Sequence, residues 1–486
     1  MKVKKILIYL VLISLLISTV SACGNKNNGS DGSTTTDAPI DTAPIEIEDE
    51  GINFWVENNA GFDSATPGAA EDFEIEIANG TVTILSYKGT NEHLIIPEEI
   101  NGMPVVAIAD GAFTISKEEE GSEENEEETP FSLQTLIIPE SITSIGTGIL
   151  AGCETLHTLQ TPLMGADKES AQFLGYLFGA SRYEDNARDI PASLTCLRLT
   201  GDWQSLQAYS LFDCNDLICL ALPEEITTIE KFALYNCASL KEITGLEKVV
   251  TFGDRALMNC SALQTVTVGN GAQSIGFGAF EGCTSIRAMT LPFVGATPNE
   301  NTYLGYIFGA AHPDFAKGFY PQNLSRITLS DACQTLGNYA FFECESLKEV
   351  VIPTGLTSIG VRAFYGCISL WSIRLPDTVT TIRELAFANC DALIFINFGE
   401  GLTSIGINAF YNCDSLEEIV LPETLKSIPA SCFAGCTSLA NIDLGNTILG
   451  GLVFTINTAL LQQLVHQSGL AVVNVGNDRY ITNVFL

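Results

Sequence analysis

The chain has 486 residues, and 58 Asp+Glu against 23 Lys+Arg give it a formal charge of −35. That length excludes one compact core, which rarely grows past roughly 250–300 residues, and points to several domains or a repeat array. A hydrophobic share of 46% excludes a wholly disordered chain. The charge makes nucleic acid and anionic lipid poor partners for the surface as a whole.

Residues 1–22 carry an export signal. Lys2, Lys4 and Lys5 precede the run Ile6 to Val20, apolar apart from Ser14, Ser18 and Thr19. Ser21, Ala22 and Cys23 follow. A basic start, a short apolar stretch and small residues before a cut describe a secretory signal, since the run is short of the ~20 residues a membrane span needs. Val20-Ser21-Ala22-Cys23 resembles the bacterial lipobox, which implies that Cys23 becomes the lipid-carrying first residue. The expected address is extracytoplasmic, lipid-anchored to a bacterial membrane or cell surface.

Residues 23–72 are rich in Gly, Ser, Thr, Asn and acids, without apolar periodicity. Such a stretch cannot offset its ordering entropy and reads as a disordered tether with a reach of roughly 40 Å. Residues 73–132 are expected to form an N-terminal β cap and a first repeat-like turn. EIEIANGTVTILSY alternates on either side of Asn79-Gly80, a hairpin signal. The acidic run KEEEGSEENEEET, between Phe113 and Pro130, reads as a solvated loop.

From residue 133 to 439 the chain repeats. Cys214, Cys237, Cys260 and Cys283 are 23 residues apart, as are Cys344, Cys367, Cys390, Cys413 and Cys436. The two 61-residue gaps, Cys153 to Cys214 and Cys283 to Cys344, each hold one 23-residue unit and one of 38. Counting back 23 from Cys153, Cys214 and Cys344 lands on Pro130, Pro191 and Pro321, and these prolines with the register cysteines mark the units. Six residues past each marker stand Leu136, Leu159, Leu197, Leu220, Ile243, Val266, Met289, Ile327, Val350, Ile373, Ile396, Ile419 and Ile442. In the unit CISLWSIRLPDTVTTIRELAF, Leu370, Ile373 and Leu375 alternate as a strand. Ile382 begins a second apolar stretch, and Ala386 and Phe387 drop inward on a helical or tight-turn segment. A unit this short buries its apolar face only against stacked neighbours.

These units resemble the BspA-like bacterial leucine-rich repeat, L-x-x-I-x-L-P-x-x-I-x-x-I-G-x-x-A-F-x-x-C, from about residue 94 to 439. Leu211, Leu234 and Leu257 stand where that family has phenylalanine. The resemblance implies an α/β, right-handed leucine-rich-repeat solenoid with short parallel strands, and a cell-surface binding or adhesion protein.

A longer period overlies the short one. FLGYLFGA at Phe173–Ala180 returns as YLGYIFGA at Tyr303–Ala310, 130 residues on, so 157–286 and 287–416 read as a tandem duplication. The two 38-residue turns either project as ligand-contact loops or pack their LGY-FGA motif against the solenoid. Residues 440–486 are expected to form a C-terminal cap, with TALLQQLVHQSG as a helix and VVNVGNDRYITNVFL as a closing hairpin.

One cysteine per turn suits a column of small buried side chains. With no C-x-x-C pair, no metal or other cofactor is implied. Cys432 takes an alanine position in the core. Cys196 and Cys219 are each five past their marker, on adjacent strands of the expected open face, and form a candidate disulfide. His93, His157, His312 and His466 are scattered, and the one G-x-G-x-x-A, Gly146 to Ala151, is explained by the repeat, so the chain reads as no enzyme. On the strand face, Trp371, Arg374, Phe395 and Asn397 fall on adjacent turns, with the aromatic and arginine composition of interaction hot spots. They are the candidate site for a macromolecular partner, a host or microbial surface protein first and a glycan second, with no nucleic acid. The rival reading is an envelope stalk or scaffold without a specific ligand, and a glycan-active enzyme comes third.

Overall fold

A computed structural model of the protein describes residues 60–114, 132–429, 431–443 and 472–474. Cys23, the acidic run and the C-terminal helix stretch lie outside these residues.

Two ladders of short parallel strands carry the repeat. The first takes three or four residues from each turn, and its aliphatic column aligns residue for residue. Leu136, Leu159, Leu197, Leu220 and Ile243 are successive partners. So are Val266, Met289, Ile327 and Val350, then Ile373 with Ile396 and Ile419 with Ile442. Each of these side chains is buried except the half-buried Ile243. The column runs one row further at each end, to Leu94 opposite Leu136 and Val473 opposite Ile442. Val472–Asn474 therefore continues the ladder in parallel, where the sequence pattern suggested the first arm of a hairpin.

The second ladder uses two residues per turn, such as Thr381–Ile382 beside Ser404–Ile405. Its first rows come from the N-terminal cap. Phe73–Ala78 and Thr81–Tyr87 pair antiparallel as the alternation predicts, and Asn79 and Gly80 take φ of 53° and 80°, as a two-residue hairpin turn of this hand requires. Thr81–Tyr87 pairs in parallel with Met103–Ile108, which pairs with Ser144–Ile145.

The segment closing each unit is a run of tight turns. Two left-handed residues per turn prevent a helix. One column, including Tyr209, Phe232, Arg255, Tyr339, Arg362, Leu385 and Asn408, has φ between 52° and 66°. The other is the residue before the marker cysteine, including Asn236, Asn259, Asn389 and Asn412 at 57° to 65°. Left-handed backbone costs an L-residue roughly 1–2 kcal/mol, so no helical run passes through these points.

The core between the ladders is stacked by type. Phe341, Phe364, Phe387, Phe410 and Phe433 form a pile with centroids 4.9–5.4 Å apart, close to the ~4.8 Å strand spacing. Each such fully buried ring contributes roughly 1.5–3 kcal/mol. Leu211, Leu234 and Leu257 continue the column, fully buried. The register cysteines do more than fill space. Cys237, Cys260, Cys283, Cys367, Cys390, Cys413 and Cys436 each donate the thiol proton to the carbonyl 26 residues earlier, at 3.0–3.3 Å. That carbonyl belongs to the core phenylalanine or leucine of the preceding unit, so the sulfur satisfies a buried acceptor.

The 38-residue turns leave the first ladder undisturbed. Leu159 still faces Leu197, and Met289 faces Ile327, across the insertions. The shared motif packs inward as the 3₁₀ segments Leu174–Phe178 and Leu304–Phe308, with only Tyr176 and Tyr306 left part-exposed. Of the two expectations, packing is the one observed. The copies fasten themselves differently. In the first, buried Asn186 accepts from Gly175 N–H at 3.0 Å and donates to Phe212 O at 2.9 Å. In the second, Ala316 replaces Asn186, and the Tyr320 hydroxyl donates to Phe342 O at 3.1 Å.

Candidate binding face

The first ladder presents its non-core side as a face, and the chain covers the front of that face itself. Ala60–Ser64 form one short helix, and Thr66–Pro67 join the ladder beside Leu94–Ile95. Helix and strand thus occur within the stretch read from sequence as tether, which ran to residue 72. Gly61 lies so close to the strands that a Cβ there would stand 2.7 Å and 2.9 Å from the hydroxyls of Thr135 and Thr158. Only glycine permits that approach. Phe62 is 7% exposed, and the Arg198 guanidinium carbon sits 3.9 Å from its ring centroid.

Cys196 and Cys219 lie beneath this cover. They are directly opposed in register and fully buried in a small cluster with Phe62. This corrects the expectation that they stand on an open face. The alternation is the one observed, but the pattern of the repeat cannot show that a segment from outside it returns to cover the four rows from Thr135 to Cys219. Their sulfurs are 2.6 Å apart. The Cys219 thiol, and burial after it, push the Cys196 thiol well above its ordinary range.

Further along, none of the described residues covers the face. Ser372 opposes Phe395, and Arg374 opposes Asn397. Trp371 precedes its strand and accepts a backbone hydrogen bond from Ile394 at 2.9 Å. Trp371 is 41% exposed and Phe395 39%, with Arg374 and Asn397 also exposed. Two residues that the sequence reading missed extend the patch, Ile394 at 44% and Val420 at 54% exposure. The signal was available: Ile394 is four past its marker, as Trp371 is, and Val420 is in the same column as Arg374 and Asn397. Between the covered front and this patch, the column of Thr244, Thr267, Thr290 and Thr328 presents hydroxyls and methyls.

The histidines hold local structure. His93 Nδ1 is 3.0 Å from the Thr135 hydroxyl, and His157 Nδ1 is 2.6 Å from Thr155 O. His312 Nδ1 accepts from Asp314 N–H at 3.3 Å. His466 lies outside the described residues. Among the described residues, no group of three His, Cys, Asp or Glu side chains gathers as a metal set, and no helix is long and apolar enough to cross a membrane.

Family comparison agrees with the repeat geometry. The model of the BspA type leucine rich repeat region matches in six copies, over residues 128–173, 191–303, 316–440 and 359–462. The chain belongs to the BspA-type leucine-rich repeat family. Among solved structures, this BspA-type chain is similar to a leucine-rich repeat protein from Bacteroides ovatus, at 19% identity over 73% of this chain and 94% of that one, with a TM-score of 0.36. It is similar to a leucine rich cell surface protein from Faecalibacterium prausnitzii, at 23% identity over 79% and 95%, with a TM-score of 0.30. The pneumococcal vaccine antigen PcpA is 18% identical over 76% and 84%, with a TM-score of 0.27. No curated protein matches the BspA-type chain.

Proposed function

We propose that this BspA-type repeat protein is a lipid-anchored binding module outside the cytoplasmic membrane, held through Cys23, that engages a macromolecular partner, a protein first, through Trp371, Arg374, Phe395 and Asn397. It works by recognition and not by catalysis. The observation that carries this reading is the strip of exposed Trp371, Ile394, Phe395 and Val420 on neighbouring rows of one face. Desolvating such side chains drives association, and tryptophan and arginine concentrate binding energy. The domain order follows: signal 1–22, tether from 23, cap and first turn to 132, solenoid to 439, and C-terminal cap from 440.

The test is affinity capture by the full chain from host-matrix and bacterial-envelope extracts, read by mass spectrometry. A Trp371→Ala, Phe395→Ala double variant of unchanged melting temperature runs beside it. A partner kept by the native chain and lost by the variant supports the proposal. The threonine column in the middle of the face favours a second reading, a stalk or scaffold without a specific ligand. No capture by either form moves the weight there, and equal capture by both ends the role of Trp371 and Phe395.

A further inference from the structure

The two 38-residue turns each leave a cleft at the same place in the fold, and the two linings differ in chemistry. The first, of about 250 Å³, lies between the chain from Pro162 to Gln172 and the chain from Asp202 to Gln207. The second, of about 320 Å³, lies between Pro292 to Thr302 and Ala332 to Gly337. Pro162 corresponds to Pro292, Gln172 to Thr302 and Ser205 to Thr335, all by the displacement of 130 that relates the duplicated halves. They are two copies of one structural feature.

Their side chains have diverged. Trp203 of the first cleft is Cys333 in the second, Asp202 is Ala332, Lys168 is Pro298 and Gln207 is Gly337. Gln204, matched by Gln334, and the hydroxyl of Ser205, matched by Thr335, keep their functional groups.

In the first cleft the Trp203 indole N–H donates to Pro162 O at 2.9 Å, which fixes the ring and uses its one polar atom. What remains to offer a ligand is apolar ring surface. Lys168 pairs with Asp202, and the Glu230 carboxylate accepts from the Ser205 hydroxyl at 2.9 Å and Ala208 N–H at 3.1 Å. Gln207 Oε1 accepts from Gln172 N–H at 3.2 Å. Among the described residues, the Gln207 amide nitrogen and the whole Gln204 side-chain amide carry no hydrogen bond. The cleft therefore combines an aromatic wall, amides that donate and accept, and two carboxylates against one ammonium.

That set excludes two ligand classes and fits a third. An anion meets a net negative lining in a chain of charge −35. A purely apolar ligand would desolvate these polar groups without return. A pyranose ring offers an apolar C–H face to lie on the indole, and vicinal hydroxyls that donate and accept at once, as amides and carboxylates require.

We propose that the Trp203 cleft binds a neutral saccharide unit and that its counterpart at Cys333 does not. The site is separate from the Trp371 and Phe395 face and does not depend on a partner binding there.

The test is isothermal titration of the full chain with glucose, galactose, mannose and N-acetylglucosamine, and with soluble oligosaccharides of each. The expected result is one-to-one binding of at least one of them, weakened about tenfold or more by Trp203→Phe and by Gln204→Ala. Gln204 is exposed, so its variant is expected to keep the native melting temperature. Gln334→Ala in the second cleft and Trp371→Ala on the ladder face leave the titration unchanged. No binding of any of these saccharides overturns the proposal, as does binding indifferent to Gln204→Ala. Binding lost equally on Gln334→Ala, or lost on Trp371→Ala, also overturns it and leaves the fate of the ladder-face proposal to its own capture experiment.

Discussion

Phe62 lies against Arg198, ring centroid to guanidinium carbon 3.9 Å, so a side chain from ahead of the first repeat is held by a row deep inside the array. A buried cation–π contact contributes up to about 2 kcal/mol, and burial of the ring roughly 1.5–3 kcal/mol. Phe62→Ala removes both terms. The expected result is a local loss of roughly 2–4 kcal/mol, measured as faster amide exchange over Thr158–Leu199 at an almost unchanged global melting temperature. Unaltered exchange there would show that residues 60–64 do not need the ring to dock.

The cysteine pair under that ring gives a second expectation. We propose that Cys196 and Cys219 are joined: two thiols lose two protons and two electrons to a small-molecule or protein disulfide acting as oxidant. The loop closed is 23 residues, worth about 3 kcal/mol on the chain-entropy estimate. Denatured chain prepared without reductant should show two fewer titratable thiols than chain treated with it, and reduction should lower the melting temperature. Equal thiol counts would rule the bond out.

The register thiols make the fold sensitive to alkali. Nine of them are raised above the ordinary value, eight by burial first and Cys260 by the neighbouring Cys237 thiol first, with Cys153 and Cys344 each pushed up to about 12. An unfolded thiol ionises near pH 8.5, so the stabilisation is complete below that pH and is lost as pH rises towards 12. Each thiol weakens folding by about 1.4 kcal/mol per pH unit in that window. A steep fall in melting temperature between about pH 8.5 and 10 is expected, reversible on return to pH 7 in the presence of reductant. Cys390→Ala should shallow the slope while costing some stability at pH 7 through its lost hydrogen bond to Phe364 O.

Gly282 stands in the left-handed column that asparagine fills in other turns, directly against the Asn259 side chain. Its φ is +76°, and a Cβ there would stand 2.2 Å from Asn259 Oδ1. Gly282→Ala is expected to destabilise by roughly 1–3 kcal/mol in urea unfolding. Asn389→Gly, at φ 59°, should stay within about 1 kcal/mol of the parent, because it relieves strain while adding unfolded-state entropy.

For the ladder face, Trp371→Ala is expected to weaken the captured partner by about 2 kcal/mol or more, roughly thirtyfold, without changing the melting temperature. The row on which the patch is built is set by Ile373 facing Ile396, which the substitution leaves in place.

Most of the fold was legible because a stacked repeat writes each contact many times. Ile327 could be paired with Met289 across a 38-residue turn on spacing alone, since any slip would move a whole row off the core. The hairpin at Asn79-Gly80 was equally plain. Contacts made once were not. Phe62 belongs to no period, and nothing in its surroundings distinguishes it from tether. The choice between helix and tight turns rested on left-handed residues such as Leu385 and Tyr339, whose types do not announce that conformation. The correspondence of the two clefts was implicit in the 130-residue displacement, but only the folded chain brings Trp203 and Lys168 to one opening.

Pro67 ends the first ladder at its front edge, opposite Ile95. A parallel ladder with a bare edge could accept a strand from another molecule and grow by end-to-end addition. Proline has no N–H to offer such a newcomer, and Thr66 is engaged from within by the Asn91 side chain, which donates to its carbonyl and to its hydroxyl. The front edge of the first ladder is therefore stoppered, and a second molecule arriving there meets a proline where a strand would need a donor.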